Sequence, residues 1–142
     1  IKIKSSHLWN CISGFISQSM KKILMLNEDL GSQMQMYLAL CDAYKVEIAE
    51  NVESVMYLLR KLQPAILLMD YNLEQLRVNG KSGLDFLKKI KRKYNNLKVV
   101  TILDNKDKPF ESEIQQNGAD GILYKPIRVR SLITHVNNLV NC

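Results

Sequence analysis

The stretch Pro64-Ala65-Ile66-Leu67-Leu68-Met69-Asp70 decides how the chain is read. Five apolar residues follow a proline with no helical spacing, the pattern of a strand buried on both faces. Asp70 falls where that strand must end. An acid there lies at the carboxyl edge of the sheet, where open α/β folds place their ligands. A polar run to Gly83 follows, and then Leu84-Asp85-Phe86-Leu87 opens a helical pattern.

Outward from this point, strand and helix signals alternate. Upstream, Ile23 to Leu26 form a short apolar run that ends in Asn27-Glu28-Asp29. Met34, Tyr37, Leu38 and Cys41 then fall at helical spacing and predict the inward stripe of a first helix, with Ser32 or Asp29 as N-cap. Lys45 to Ala49 alternates as a strand, and Val52, Val55, Met56 and Leu59 mark a second helix. Downstream, Leu84, Leu87, Ile90 and Lys91 lie on a third helix, and Val99 to Leu103 reads as the next strand. A polar loop with Pro109 leads to a helix near 111–117, stopped by Gly118. Gly121 to Tyr124 is the last strand, and Val129 to Val140 a final helix with Leu132, Ile133, Val136, Leu139 and Val140 inward.

Five β-α units in strict alternation predict an α/β fold, a three-layer doubly wound five-stranded parallel sheet. Right-handed crossovers favour the flavodoxin-like order 2-1-3-4-5. Strands 1 and 3 are then neighbours, so Glu28, Asp29 and Asp70 are predicted to meet above one edge.

Composition bounds the function. The 142 residues, 46% hydrophobic and 24% charged, suit one soluble domain. No apolar run is long enough to span a bilayer. The net charge of +6 is scattered except at Lys88, Lys89, Lys91, Arg92 and Lys93, which read as a solvated helix face; neither nucleic acid nor membrane is an expected partner. Cys11, Cys41 and Cys142 show no metal-ligand spacing and fit free thiols in a reducing cytoplasm. Residues 1–19 lack a clear period and read as an N-terminal extension that Trp9 and Phe15 could anchor; the domain proper is 20–142. His7 and His135 have no partner at catalytic spacing.

Crowded carboxylates repel one another, and a divalent cation is the usual way to keep them ionised together. Mg²⁺ takes one or two carboxylates plus waters and phosphate oxygens. Lys125, after the last strand and before Pro126, projects from the same edge, and its ammonium suits phosphoryl oxygens. Asp70 in such a site can attack a phosphoryl group and carry it as an acyl phosphate. The plain alternatives are that Asp70 caps a loop, that Glu28 and Asp29 cap the first helix, and that Asp104 is an exposed loop acid. No Cys-x5-Arg, GxSxG or P-loop is present, which excludes the common phosphatase and hydrolase signatures.

Taken together, Asn27-Glu28-Asp29, the run ILLMD ending in Asp70, GLDFLKKIK from Gly83 and NGADGILYKP from Asn117 to Pro126 resemble the receiver domain of two-component response regulators. The resemblance covers the chain from about Lys22 onward. It implies a stand-alone, non-enzymatic signalling domain in a phosphorelay, with Asp70 taking a phosphoryl group from a sensor histidine kinase or phosphotransfer protein. Asp70, Asn72 and the acids Glu28 and Asp29 would hold Mg²⁺, with either Glu28 or Asp29 as the main ligand; Lys125 would pair with the phosphoryl group, and the Lys125–Pro126 bond would be cis. Output would pass to a downstream protein partner by surface contact; homodimerisation stays open. The departures are as specific. The family's switch Ser/Thr falls on Leu103, with Thr101 deeper on the same strand face, and its reporting aromatic falls on Ile122, while Tyr124 adjoins Lys125. The loop from Tyr71 to Ser82 is longer than usual and has no proline. These departures favour, as an alternative, a phosphorylation-independent pseudo-receiver that docks proteins.

Overall fold

A computed structural model describes residues 20–141. The extension 1–19, with His7, Trp9, Cys11 and Phe15, and also Cys142, lie outside the described residues.

Strands β1 (Lys22–Leu26), β2 (Lys45–Ile48), β3 (Ile66–Asp70), β4 (Lys98–Leu103) and β5 (Gly121–Tyr124) form one sheet in the order β2-β1-β3-β4-β5, with every pairing parallel. The central strand behaves as its composition requires. All residues of β3 are buried, and each of its Ile, Leu and Met side chains contributes about 1.5–3 kcal/mol by leaving water.

Alternation along the strands splits the core in two. Leu24, Leu67, Met69, Val99 and Leu103 pack on one face against helices α2 (Val52–Leu62) and α4 (Gly83–Lys93). Ile23, Met25, Leu68, Val100 and Ile102 pack on the other, against α1 (Leu30–Leu40) and α6 (Val129–Val140). The predicted fold class and strand order are those observed. On α6, Leu132 and Val136 are buried, with Ile133, Leu139 and Val140 packed beside them.

Three local features depart from the sequence reading. On α1 the buried residues are Met36 and Leu40, whereas Met34 is 47% and Leu38 64% exposed and Tyr37 also faces water. The predicted stripe is therefore the outer face. The helix carries no charged residue, so nothing polar enough marks its solvent side and the apolar period is ambiguous. Second, the polar run after Asp70 contains a single-turn helix, α3 (Glu74–Arg77). Third, the loop with Pro109 is a 3-10 turn, Asn105–Phe110, leading into α5 (Glu111–Gln116).

The long loop returns to α4 at Gly83, where a Cβ would lie 2.3 Å from the Tyr71 carbonyl oxygen; only glycine fits there. Ser82 caps α4 in a reciprocal box with Asp85. On the basic face of α4, Lys88, Lys89, Arg92 and Lys93 are exposed, and Lys91 instead reaches Asp120 at 3.0 Å.

Candidate functional site

Asp70 ends β3 with its side chain turned towards Lys125 and Asn72, and the residue is only 4% exposed. Its Oδ2 accepts from Lys125 Nζ at 2.7 Å and its Oδ1 from the Asn72 backbone N–H at 2.9 Å. Burial pushes the carboxyl pKa up, and this outweighs the lowering by Lys125 and Asn72; the negative Asp104 adds to the rise. Lys125 shows the converse balance. Burial disfavours its charge, but the carboxylates of Asp70 and Asp104 more than restore it, so the ammonium holds its proton above the ordinary lysine range. The backbone fixes Lys125 there: its N–H donates to the Leu103 carbonyl at 2.9 Å, and the bond to Pro126 is cis.

Two acids that the sequence reading did not place in the site belong to it. Asp104, expected as an exposed loop acid, lies with Oδ1 3.6 Å from Lys125 Nζ, and its Oδ2 accepts from Asn72 Nδ2 at 3.0 Å. Asp107 is 5% exposed; its Oδ2 accepts from Asn72 Nδ2 at 2.6 Å and from the Asp104 N–H at 3.0 Å. Asn72 thus pins the loop after β4 to the end of β3. The acid pair three apart, Asp104 and Asp107, signals only the capping box around the 3-10 turn, and nothing local signals the bonds to Asn72.

The acids after β1 are each already engaged. Glu28 accepts from the backbone N–H groups of Glu74 at 2.6 Å and Gln75 at 3.0 Å, so it caps α3 across the loop. Asp29 caps α1 by accepting from Ser32 N–H at 2.8 Å; these Ser32 bonds lower its pKa, and the charge of Lys125 lowers it further. Asn27 is buried, its Oδ1 takes the Asp29 N–H at 2.7 Å, and its Nδ2 has no partner among the described residues. Among the described residues no three His, Cys, Asp or Glu side chains gather into a metal-binding group. The structure therefore brings Asp70, Asn72 and Lys125 together with Asp104 and Asp107. It holds Glu28 and Asp29 in capping bonds.

Beside the pocket, Leu103 is fully buried and stands opposite Tyr124 in register, while Thr101 stands opposite Ile122. The Thr101 hydroxyl is buried and has no partner among the described residues. Tyr124 donates its hydroxyl to Glu111 Oε1; burial first, and then this carboxylate, push its pKa up to about 12.

The chain itself matches a known family. The response regulator receiver domain matches residues 27–137. Among curated proteins, the response regulator GacA of Pseudomonas protegens is 29% identical over 85 residues, which are 60% of this chain and 38% of that protein. The chain thus matches well under half of that relative's length. A solved signal receiver domain of a two-component response regulator from Bacteroides fragilis is 25% identical, with a TM-score of 0.77 over 85% of this chain and 97% of that one. A response regulator structure from Chloroflexus aurantiacus, 21% identical, has a TM-score of 0.76 over 87% of this chain and 99% of that one. The chain belongs to the response regulator receiver domain family, a signalling family of two-component systems rather than a classical enzyme family. No helix among the described residues is long and apolar enough to cross a membrane.

Proposed function

We propose that Asp70 accepts a phosphoryl group from the phosphohistidine of a sensor histidine kinase or phosphotransfer protein. In that transfer an Asp70 carboxylate oxygen bonds to phosphorus as the phosphorus–nitrogen bond breaks, and the imidazole leaves with the electron pair. Lys125 steadies the charge on the transferring oxygens. The result reaches a downstream protein partner through surface contacts in a cytoplasmic relay. The observation that carries this reading is the Lys125–Asp70 contact of 2.7 Å at the carboxyl edge of the central strand.

Mg²⁺ is the cation whose chemistry suits the site, since it takes hard oxygens and keeps several waters. The donors present fit it: the Asp70 carboxylate, the exposed Asp29 carboxylate within electrostatic reach of Lys125, and Asn72 two residues beyond the acceptor. Glu28 could join them by releasing the two α3 amides. When bound, the ion would offset phosphoryl charge; this chain's own part is to orient the Asp70 oxygens through Asn72 and Lys125.

The test is incubation with acetyl phosphate and Mg²⁺ followed by intact-mass measurement. Wild type is expected to gain one phosphoryl group and Asp70→Asn none. No gain in wild type, or equal gain in the variant, defeats the reading. One observation favours a second reading, the pseudo-receiver. Leu103 offers no hydroxyl at the point where a phosphoryl oxygen would be gripped. That reading expects partner binding to be the same in wild type and Asp70→Asn.

A further inference from the structure

We infer that Asp104 is a positioning residue that weakens the pocket's hold on an anionic phosphoryl group by sharing Lys125 with Asp70. The inference rests on the phosphoacceptor reading and goes beyond it, because that reading gives Asp104 no part.

The geometry is specific. One ammonium stands between two carboxylates, 2.7 Å from Asp70 Oδ2 and 3.6 Å from Asp104 Oδ1. Although its side chain is 34% exposed, Asp104 is not a wandering surface acid. Its second oxygen accepts from Asn72 Nδ2 at 3.0 Å, and its N–H donates to the buried Asp107 at 3.0 Å. Asp107 takes the same Asn72 amide at 2.6 Å, and the Asn72 backbone N–H holds Asp70 itself at 2.9 Å. The loop acid and the acceptor are therefore fixed through one asparagine.

A phosphoryl group brings about −1.5 to −2 charges at neutral pH. Lys125 alone cannot balance that charge and Asp104 as well, so each anion reduces the other's share of the ammonium. With acetyl phosphate as donor, an Asp70 oxygen bonds to phosphorus while the phosphorus–oxygen bond to acetate breaks, and acetate leaves with the electron pair. The new group then shares Lys125 with Asp104. Removing only the charge of Asp104 should deepen the site while leaving its shape intact.

The experiment is titration of beryllofluoride in the presence of Mg²⁺, read by fluorine NMR on the full chain. Asp104→Asn, which keeps an oxygen for Asn72, is expected to bind roughly tenfold more tightly than wild type, the scale of one nearby, partly screened like charge. Asp104→Glu, which restores the charge, is expected to return towards wild type. A merely structural role would weaken binding in both variants. Equal or weaker binding in a folded Asp104→Asn, with wild type binding, overturns the inference alone. If neither wild type nor Asp104→Asn binds, or if Asp70→Asn binds as well as wild type, the phosphoacceptor reading falls and the inference with it. Should Asp104→Asn not fold, Asp104→Ser takes its place under the same criteria.

Discussion

The two halves of the sheet rim at β3, β4 and β5 are built to different rules. In the acceptor half, Asp70, Asn72, Lys125, Asp104 and Asp107 all hold one another through hydrogen bonds or ion pairs. In the half beside it, Leu103 is wholly apolar, Thr101 buries a hydroxyl that bonds to nothing described, and Tyr124 turns its hydroxyl to Glu111. The contrast teaches that capturing charge and transmitting its arrival are separable tasks. The first needs a carboxylate and an ammonium in contact, and these are present. Under the proposed function the second would need a donor on β4 to follow the new oxygens, and leucine would forgo a charge-assisted bond worth about 1.5–3 kcal/mol.

The sharpest way to break that contrast is Leu103→Thr, which gives the second half the donor it lacks. The side chain is fully buried against Tyr124 and the α2–α4 face, so shortening it removes apolar contacts and buries a new hydroxyl. The variant is expected to be about 2–4 kcal/mol less stable in urea unfolding. It is also expected to bind beryllofluoride more tightly than wild type. A stability loss without tighter binding would mean that β4 is too far from the arriving group for any donor there to matter.

Thr101→Val is the counterpart, with a smaller effect of opposite sign. An unpaired buried hydroxyl costs about 1–3 kcal/mol, and valine fills nearly the same space without it. The variant is expected to be about 1 kcal/mol more stable, with beryllofluoride binding unchanged. Destabilisation would show that the hydroxyl has a partner in solution and that the second half is less apolar than its packing indicates.

How far each half was legible in the sequence follows from the same physics. The acceptor strand declared itself because five consecutive apolar residues ending in an acid have few other readings, and Lys125-Pro126 fell at the matching edge. Leu103 and Ile122 were readable as departures from the family pattern, by counting back without gaps from Gly118-Ala119-Asp120. Asp104 and Asp107 were not, because their placement depends on a long-range bond to Asn72, thirty-odd residues away, that no local pattern encodes. Glu28 was hidden likewise: its partners are the Glu74 and Gln75 amides of a one-turn helix too short to show a period. The α1 stripe failed for another reason. Leu30 to Leu40 holds no charge, so apolar spacing alone could not say that Met36 and Leu40, rather than Met34 and Leu38, turn inward.

The least conspicuous effect distinguishes the halves by what each costs the fold. The acceptor half carries its cost as charge: burial raises the Asp70 pKa above 3.8 despite Lys125, so the folded chain holds that proton more tightly than the unfolded one. Stability from such a group is fully present below the unfolded pKa and is lost as pH rises through the folded value. Asp70→Asn removes this titration while keeping the shape. The ion pair with Lys125 forms only as Asp70 ionises, and its attraction is already contained in the net rise of the Asp70 pKa, so it adds no separate pH dependence. The difference in melting temperature, variant minus wild type, is therefore expected to grow as pH rises from below 3.8 towards neutrality. A difference that stays flat or shrinks would mean that Lys125 fully compensates the buried carboxylate, and that the acceptor half carries no such cost.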